Sequence, residues 1–244
     1  MPAFFIHGVP ATHRLWGGVI EHIPRTDIVV IDLPGFGSPL PDGFDASKES
    51  YVDWLIRRIE DVGAPVDIVG HDWGGIFAMR IAAIRPDLVR TWVAGGGPIN
   101  ASYQWHPLAK VFQMPGEGEA YFASDYKENL IRRMMQDGVA GDLARSTVSQ
   151  VDTLMASCIL RLYRSAIHVG REWQSSLSNV RAPGLVVWGM DDKSCPIENA
   201  EILASDAGAR KVHRFNCGHW FPLLRPVELA CAIVEHWSQV VSVS

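Results

Sequence analysis

Residues 66 to 78 constrain the fold of this chain more than any other stretch. An apolar run, VDIV, breaks at glycines around Asp72, and apolar residues then resume at helical spacing. This pattern predicts a buried strand, a sharp turn and a helix. Gly70 and Gly74 lie two residues before and after Asp72, which is the spacing of a nucleophile elbow, a strained turn that exposes its central side chain. The elbow here carries a carboxylate, and no serine of the chain has glycines in both of these positions.

Strands and helices alternate on both sides of this elbow. Besides the elbow strand, the predicted strands cover residues 4–6, 27–33, 89–94, 184–189 and 211–215, and the predicted helices include residues 48–62, 197–204 and 226–237. Ser47 is the expected N-cap of the helix over 48–62, and Gly63 is its expected C′ residue. This order predicts an α/β fold with a mostly parallel sheet, right-handed crossovers and helices on both faces.

The alternation stops between residues 98 and 177. This segment has a helical pattern, is rich in aromatic residues and methionine, and is interrupted by the Met-Pro-Gly run at 114–116. We therefore expect a helical lid over 98–177, inserted in a core domain formed by residues 1–97 and 178–244. Its larger apolar side chains are expected to form core, and some of them to line an apolar pocket; they are Phe112, Tyr121, Phe122, Met134, Met135 and Met155.

Composition excludes several classes of function. A net charge of −5 and a pI near 6.0 leave no basic surface for nucleic acid. No apolar run reaches the ~18 residues of a spanning helix, and the first residues lack the charged region of a secretory signal, so no membrane partner is expected. The four cysteines have neither paired nor metal-ligand spacing, which indicates free thiols in a reducing cytoplasm.

Two motifs resemble those of the α/β-hydrolase superfamily. They are His-Gly-x-Pro at residues 7–10 and Gly-His-Asp-Trp-Gly-Gly at residues 70–75. Within the superfamily, the combination is similar to epoxide hydrolases and, more loosely, to haloalkane dehalogenases. The family's short N-terminal hairpin is missing here, so the resemblance implies a parallel core of six strands.

The family's chain order, nucleophile then acid then histidine, assigns the partners of Asp72. The run WGMDD at 188–192 resembles a strand end whose acid lies three residues after glycine, which implies Asp192. If the loop after this strand were shifted by one residue, Asp191 would take the place of Asp192 as the acid. The run NCGHW at 216–220 resembles the family's histidine turn and implies that His219 is the base.

A carboxylate gains little by attacking a carbonyl carbon, but at a strained or halogenated sp³ carbon it forms an ester that can be hydrolysed. We therefore expect Asp72 to attack such a carbon. Water activated by His219 would then hydrolyse the ester, while Asp192 fixes the imidazole tautomer. By position, the backbone N–H groups of Trp73 and Val9 are the expected oxyanion hole.

The lid supplies the finer resemblance. The Leu-Tyr-Arg run at 162–164 resembles the epoxide hydrolase segment whose tyrosine holds the epoxide oxygen, which implies that role for Tyr163. Leu108 stands where the second tyrosine is usual. The preceding Trp105-His106 pair resembles a smaller group of bacterial epoxide hydrolases with histidine in place of one tyrosine, which implies His106. Without the resemblance, Tyr163 would be interpreted as a packing residue and His106 as a structural one.

The substrate pocket is expected to be lined by five further side chains, His7, Phe36, Trp105, Phe112 and Trp220. His7, together with Asp32, is also interpreted as a residue that organises a loop by hydrogen bonding.

Three functions compete at this stage. The leading hypothesis is an epoxide hydrolase that needs no metal or cofactor and takes a small apolar epoxide and water. A haloalkane dehalogenase is the alternative, because Trp73 follows the nucleophile as in that group; Val9, where many members have asparagine, argues against it. The third is a non-catalytic ligand receptor on a hydrolase fold. The oligomeric state stays open, with a homodimer as one alternative.

Overall fold

The computed structural model describes residues 1–63 and 65–241 and contains one parallel sheet. Its strands are β1 (Ala3–Ile6), β2 (Ile28–Val30), β3 (Val66–His71), β4 (Val89–Gly95), β5 (Gly184–Gly189) and β6 (Lys211–Phe215). They are arranged in the order β2-β1-β3-β4-β5-β6, and every neighbouring pair is parallel. The predicted α/β fold with a six-stranded parallel core is therefore confirmed.

Helices cover both faces of the sheet and fill the connection between β4 and β5. In chain order they are α1 (Gly17–Ile20), α2 (Lys48–Asp61), α3 (Trp73–Ile84), α4 (Pro107–Gln113), α5 (Glu117–Ala123), α6 (Tyr126–Gln136), α7 (Gly141–Ser149), α8 (Thr153–Ser165), α9 (Val169–Trp173), α10 (Glu198–Ala207), α11 (Phe221–Leu224) and α12 (Pro226–Val241), with 3₁₀ turns at His13–Trp16, Pro86–Leu88 and Gln174–Asn179. In the part of the chain that the structure describes, no helix is both long and apolar enough to cross a membrane.

Alternation along the strands separates two hydrophobic layers. Phe4 and Ile6 of β1 pack into the layer that holds α2, α3 and α10, whereas Phe5 points to the opposite layer with α1 and α12. Successive side chains of a strand point to opposite faces, so a strand buried on both faces is apolar throughout. This explains why the central strands appear in the sequence as unbroken apolar runs.

The ends of two elements differ in how well the sequence predicts them. Ser47 caps α2 by accepting from the Ser50 N–H at 3.2 Å, and Gly63 follows the helix with φ 85°, as expected. β2 is shorter than the strand predicted over 27–33. It ends at Val30, and beyond that end the Leu33 N–H donates to the His7 ring at 3.1 Å.

The segment predicted to be a lid folds into α4 to α9. The expected interruption at 114–116 separates α4 from α5, with Gly116 at φ 86°. Met134 is buried, but Met135 is 50% exposed, so the expectation that Met135 belongs to the core is wrong. Adjacent residues of a helix face different directions, and only Met134 lies on the inner face of α6. The lid's bounds stay a prediction; its last turn, Gln174–Asn179, packs against α3 and α10.

The cysteines agree with the expectation from their spacing. Cys158, Cys195, Cys217 and Cys231 are all free thiols, and the first two are buried.

Close packing between the elbow and β1 leads to a stability prediction. A Cβ atom at Gly74 would collide with the carbonyl oxygens of Ile6 and His7, whereas one at Gly17 would meet no atom within 4 Å. We expect Gly74→Ala to lower the free energy of unfolding by about 2–4 kcal/mol, measured by chemical denaturation. The matched control, Gly17→Ala in a helical turn, should leave it unchanged or raise it by up to about 1 kcal/mol. Equal stabilities for the two variants would contradict the packing described here.

Candidate active site

The elbow holds Asp72 between β3 and α3 in a conformation that L-residues rarely adopt. Its φ is 54° and its ψ is −123°. A side chain at Gly70 would strike the Gly74 carbonyl, and one at Gly97 would strike the carbonyl of Asp72 itself. The glycines therefore permit the close approach of backbone segments that a strained turn of this kind requires.

Backbone donors face the Asp72 carboxylate. The Val9 N–H donates to its Oδ2 at 2.7 Å. Burial raises the pKa of Asp72, while the charge of His219 and the N–H groups of Val9 and Trp73 oppose that rise. The two N–H groups predicted to form the oxyanion hole, those of Val9 and Trp73, therefore both interact with the Asp72 carboxylate. Oδ2, which the Val9 N–H holds, is placed to become the carbonyl oxygen of an ester, leaving Oδ1 for attack.

A second carboxylate holds the histidine. Asp192 Oδ2 lies 2.7 Å from His219 Nδ1. Its other oxygen accepts from the N–H groups of Ser194 and Cys195 at 2.9 and 2.8 Å. Asp191 is exposed, and its side chain makes no bond to the histidine. The geometry therefore selects Asp192 over Asp191 as the partner of His219.

The carboxylates around His219 raise its pKa. Burial alone would lower its pKa, but the charges of Asp192, Asp72 and Asp137 and the Asp192 hydrogen bond outweigh it and raise the pKa of His219 to about 9. Its backbone is fixed as well, because His71 Nε2–H donates to the His219 carbonyl at 2.9 Å. Burial lowers the pKa of His71 well below 6.5, so this second imidazole is neutral.

A cavity of about 80 Å³ lies over these groups, between the sheet and the lid helices. It is mostly apolar. Of the side chains predicted for the pocket, Trp105, Phe112 and Trp220 line it. The four catalytic candidates in the lining are Asp72, His219, Tyr163 and His106. The other lining residues include Val9, Trp73, Phe122 and Met134.

The prediction that His7 and Phe36 line the pocket is wrong. Both are completely buried outside the cavity lining. His7 Nδ1–H donates to the Gly8 carbonyl at 2.9 Å, and its Nε2 accepts from the Leu33 N–H, so the ring ties two loops together. Asp32 has a similar role, because it accepts from the His13 N–H at 2.7 Å.

The two lid candidates are both neutral. Burial raises the pKa of Tyr163 well above 10.0, and its ring packs edge-on against Trp73, with ring centroids 5.4 Å apart. Burial lowers the pKa of His106 to about 4. His106 Nδ1 accepts from the Ala109 N–H at 3.1 Å as the cap of α4, so the neutral ring carries its proton on Nε2. Tyr163 and His106 can each offer one hydrogen-bond donor to the cavity.

The family relationship rests on a match over most of the chain. The model of the alpha/beta hydrolase family matches residues 3–232. The chain belongs to the alpha/beta hydrolase family. Its elbow carries aspartate, and its described residues, 1–63 and 65–241, contain no cluster of three or more His, Cys, Asp or Glu side chains that could hold a metal ion.

This alpha/beta hydrolase is similar to proteins of several activities. A pimeloyl-[acyl-carrier protein] methyl ester esterase of Neisseria meningitidis serogroup C is 30% identical over 217 residues, which are 82% of this chain and 78% of the relative. A 2-hydroxy-6-oxononadienedioate/2-hydroxy-6-oxononatrienedioate hydrolase of Cupriavidus pinatubonensis is 24% identical over 209 residues, 79% of this chain and 70% of the relative.

Solved structures resemble the whole chain. A "putative epoxide hydrolase" from Pseudomonas aeruginosa has a TM-score of 0.81 at 19% identity, covering 99% of this chain and 89% of its own. The haloalkane dehalogenase DbeA from Bradyrhizobium elkani USDA94 has a TM-score of 0.78 at 20% identity, covering 100% and 92%. At these identities the likeness shows the fold alone.

Sequence reasoning missed several residues of the hydrolase cavity. Tyr103 lines it, and its hydroxyl donates to the Ser194 carbonyl at 2.7 Å. The cavity is also lined by two charged residues, Arg133 and Asp137, which lie one helical turn apart at the end of α6. Tyr103 could have been found from its position two residues before Trp105, which was predicted to line the pocket. No local pattern distinguishes Arg133 or Asp137 from other charged residues on a helix surface.

The raised pKa of His219 predicts a loss of stability at alkaline pH. Its value of about 9 in the folded protein lies above 6.5, the ordinary value, so its contribution is complete below pH 6.5 and is lost as the pH rises through about 9. We expect the free energy of unfolding to fall over this range by about 3 kcal/mol more in the wild type than in His219→Gln. Denaturant titrations at several pH values measure the difference, with Asp191→Asn as a control that should behave as the wild type. An equal decline in His219→Gln would refute the assignment.

Proposed function

We propose that this alpha/beta hydrolase is an epoxide hydrolase that forms a vicinal diol through an alkyl ester on Asp72. In the first step, Asp72 attacks an epoxide carbon and the C–O bond of the ring breaks. In the second, water activated by His219 attacks the ester carbonyl, whose oxygen faces the N–H groups of Val9 and Trp73. Asp192 stabilises the imidazolium that forms.

The observation that carries this proposal is the pair of neutral donors on the lid side of the cavity. Opening an epoxide leaves a strongly basic alkoxide, which needs a proton or hydrogen-bond donors in the transition state. Tyr163 and His106 line the same cavity as Asp72 and are both neutral, with the His106 proton on Nε2. A carboxylate nucleophile facing such donors suits an electrophile that bears an oxygen leaving group on saturated carbon.

The substrate is expected to be small and apolar. The cavity volume of about 80 Å³ is smaller than the ~150 Å³ that accommodates benzene in an engineered cavity. A short-chain epoxide such as 1,2-epoxybutane therefore fits better than an aryl epoxide. The free thiols support a cytoplasmic location, which is part of the proposal.

Dehalogenation is the second candidate, and the Trp73 indole favours it. This indole lines the cavity beside the nucleophile, where an N–H can hold a halide. However, Trp73 lies stacked on Trp105, with ring centroids 6.1 Å apart and an interplanar angle of 20°, and it makes a T-shaped contact with Tyr163. A leaving halide needs no proton, so that reaction would leave both lid donors without a role.

The decisive experiment offers both electrophiles to the same protein. We expect 1,2-epoxybutane to give a diol and 1,2-dibromoethane to give little bromide. With the epoxide, His219→Gln should accumulate a protein adduct of one epoxide mass, because alkylation does not need the base, while Asp72→Asn should form none. Intact-mass spectrometry measures the adduct.

Each outcome of that experiment decides between functions. One turnover in ¹⁸O-labelled water should place the label in the Asp72 carboxylate and not in the first diol. Label in the first diol would make Asp72 a general base and the covalent route wrong. Fast bromide release without diol would establish the dehalogenase, and inertness to both substrates would favour a ligand receptor.

The lid donors should act on alkylation alone. We expect Tyr163→Phe and His106→Asn each to slow ester formation by about 10²–10⁴-fold, the usual contribution of a positioned acid, with a much smaller effect on ester hydrolysis. Asparagine can keep the cap of α4 while removing the Nε2–H donor. Rapid-quench kinetics with 1,2-epoxybutane separate the two steps.

Tyr121→Phe is the matched control, since Tyr121 lies in the lid but does not line the cavity. It should alkylate at the wild-type rate. If Tyr163→Phe and His106→Asn also do so, the lid donors are misassigned.

A further inference from the structure

Asp137 lies between the catalytic cavity and the solvent. It follows α6 directly, and it lines the cavity together with His219. It also lines a solvent-open groove on the other side of the histidine turn, with Asp191, Lys193 and Gly218. Within residues 1–63 and 65–241, Asp137 is the one residue shared by the linings of this groove and this cavity.

The Asp137 carboxylate has no protein partner there. Its side chain is half-buried, yet it accepts no hydrogen bond and makes no ion pair with any residue that the structure describes. The backbone around it is bonded, since its N–H donates to the Arg133 carbonyl at 3.1 Å. A half-buried carboxylate without protein donors must be hydrated, so its oxygens are sites that bind water.

We propose that Asp137 is a positioning residue for the second half-reaction, which holds water between the open groove and His219 and so supplies the water that hydrolyses the Asp72 ester. This inference rests on the proposed epoxide hydrolase function.

The charges around Asp137 support this position. Its pKa is raised, first by burial and then by the charge of Asp192, while His219, Lys193 and Arg133 oppose the rise. In turn, the Asp137 charge helps to raise the pKa of His219. The carboxylate and the imidazole therefore interact electrostatically, and both line the cavity that must hold the hydrolytic water.

The step balances without a further reactant. The oxygen of the water forms a bond to the Asp72 carbonyl carbon, and one of its protons passes to neutral His219. The bond from that carbon to the diol oxygen then breaks, and the second water proton goes to the leaving alkoxide. The products are the diol, the Asp72 carboxylate and the His219 imidazolium. Asp137 is unchanged and binds the next water from the groove.

The test measures the two half-reactions of Asp137→Asn with 1,2-epoxybutane by rapid quench. We expect ester formation within about twofold of the wild type and ester hydrolysis slowed about tenfold, less than the loss of a group that transfers the proton itself. NMR titration of the His219 ring, without substrate, should show its pKa lowered by about one unit, because a nearby negative charge is removed. Asp137→Ser should behave in the same way.

Asp191→Asn is the matched control, because Asp191 is exposed and lines only the groove. It should leave both half-reactions and the His219 pKa unchanged. Unaltered hydrolysis and titration in Asp137→Asn, or equal effects in Asp191→Asn, would overturn the proposal. So would an equal slowing of both half-reactions. If the wild type forms no ester, the proposed function fails, and the titration still decides whether Asp137 acts on His219.

Discussion

The positive φ of Asp72 is the constraint on which the rest of the structure depends. A conformation of this kind costs about 1–3 kcal/mol and persists only where the surroundings fix it. Here the Asp72 N–H donates to the Gly95 carbonyl at 2.9 Å, and its own carbonyl accepts from the Ile76 N–H at 3.0 Å. β4 and α3 therefore clamp the turn from both sides. The turn places the Asp72 carboxylate at the carboxyl end of the sheet, where Asp192 and His219 follow the ends of β5 and β6.

The site is completed by groups that hold His219 and Asp192 in place. His71 fixes the backbone of His219, and the amides after Asp192 hold the carboxylate that orients the ring. Two carboxylates, Asp72 and Asp192, then share one buried imidazole. Two negative charges in a low-dielectric site favour a cation between them, and they raise the pKa of His219 to about 9.

The sequence was informative wherever a position is set by local geometry. Gly70 and Gly74 fix the elbow, and the ends of β5 and β6 fix Asp192 and His219, because carboxyl ends of parallel strands meet at one edge. The lid is different, since packing between helices decides which side chains reach the cavity. Met134 faces inward and Met135 outward, and Asp137 lines the cavity with His219, a residue far from it in sequence. His7 was wrongly predicted to line the cavity, because the partners of its ring, the Gly8 carbonyl and the Leu33 amide, are not evident from the sequence pattern.

The resting charge state bears on the choice between epoxide and halide. Opening an epoxide at Asp72 consumes one proton at the alkoxide, and the imidazolium of His219 already holds one. In the proposed reaction, Tyr163 and His106 would stabilise the alkoxide while the ester forms, and His219 would give up its proton only afterwards. His219 would then be neutral, which is the form that can activate water. Hydrolysis of the ester then restores both charges, so the cycle exchanges no net proton with the solvent. A halide would leave as an anion and take no proton, and His219 would have to release its own to solvent before it could act. A buried histidine with a pKa of about 9 therefore suits the opening of an epoxide better than the loss of a halide.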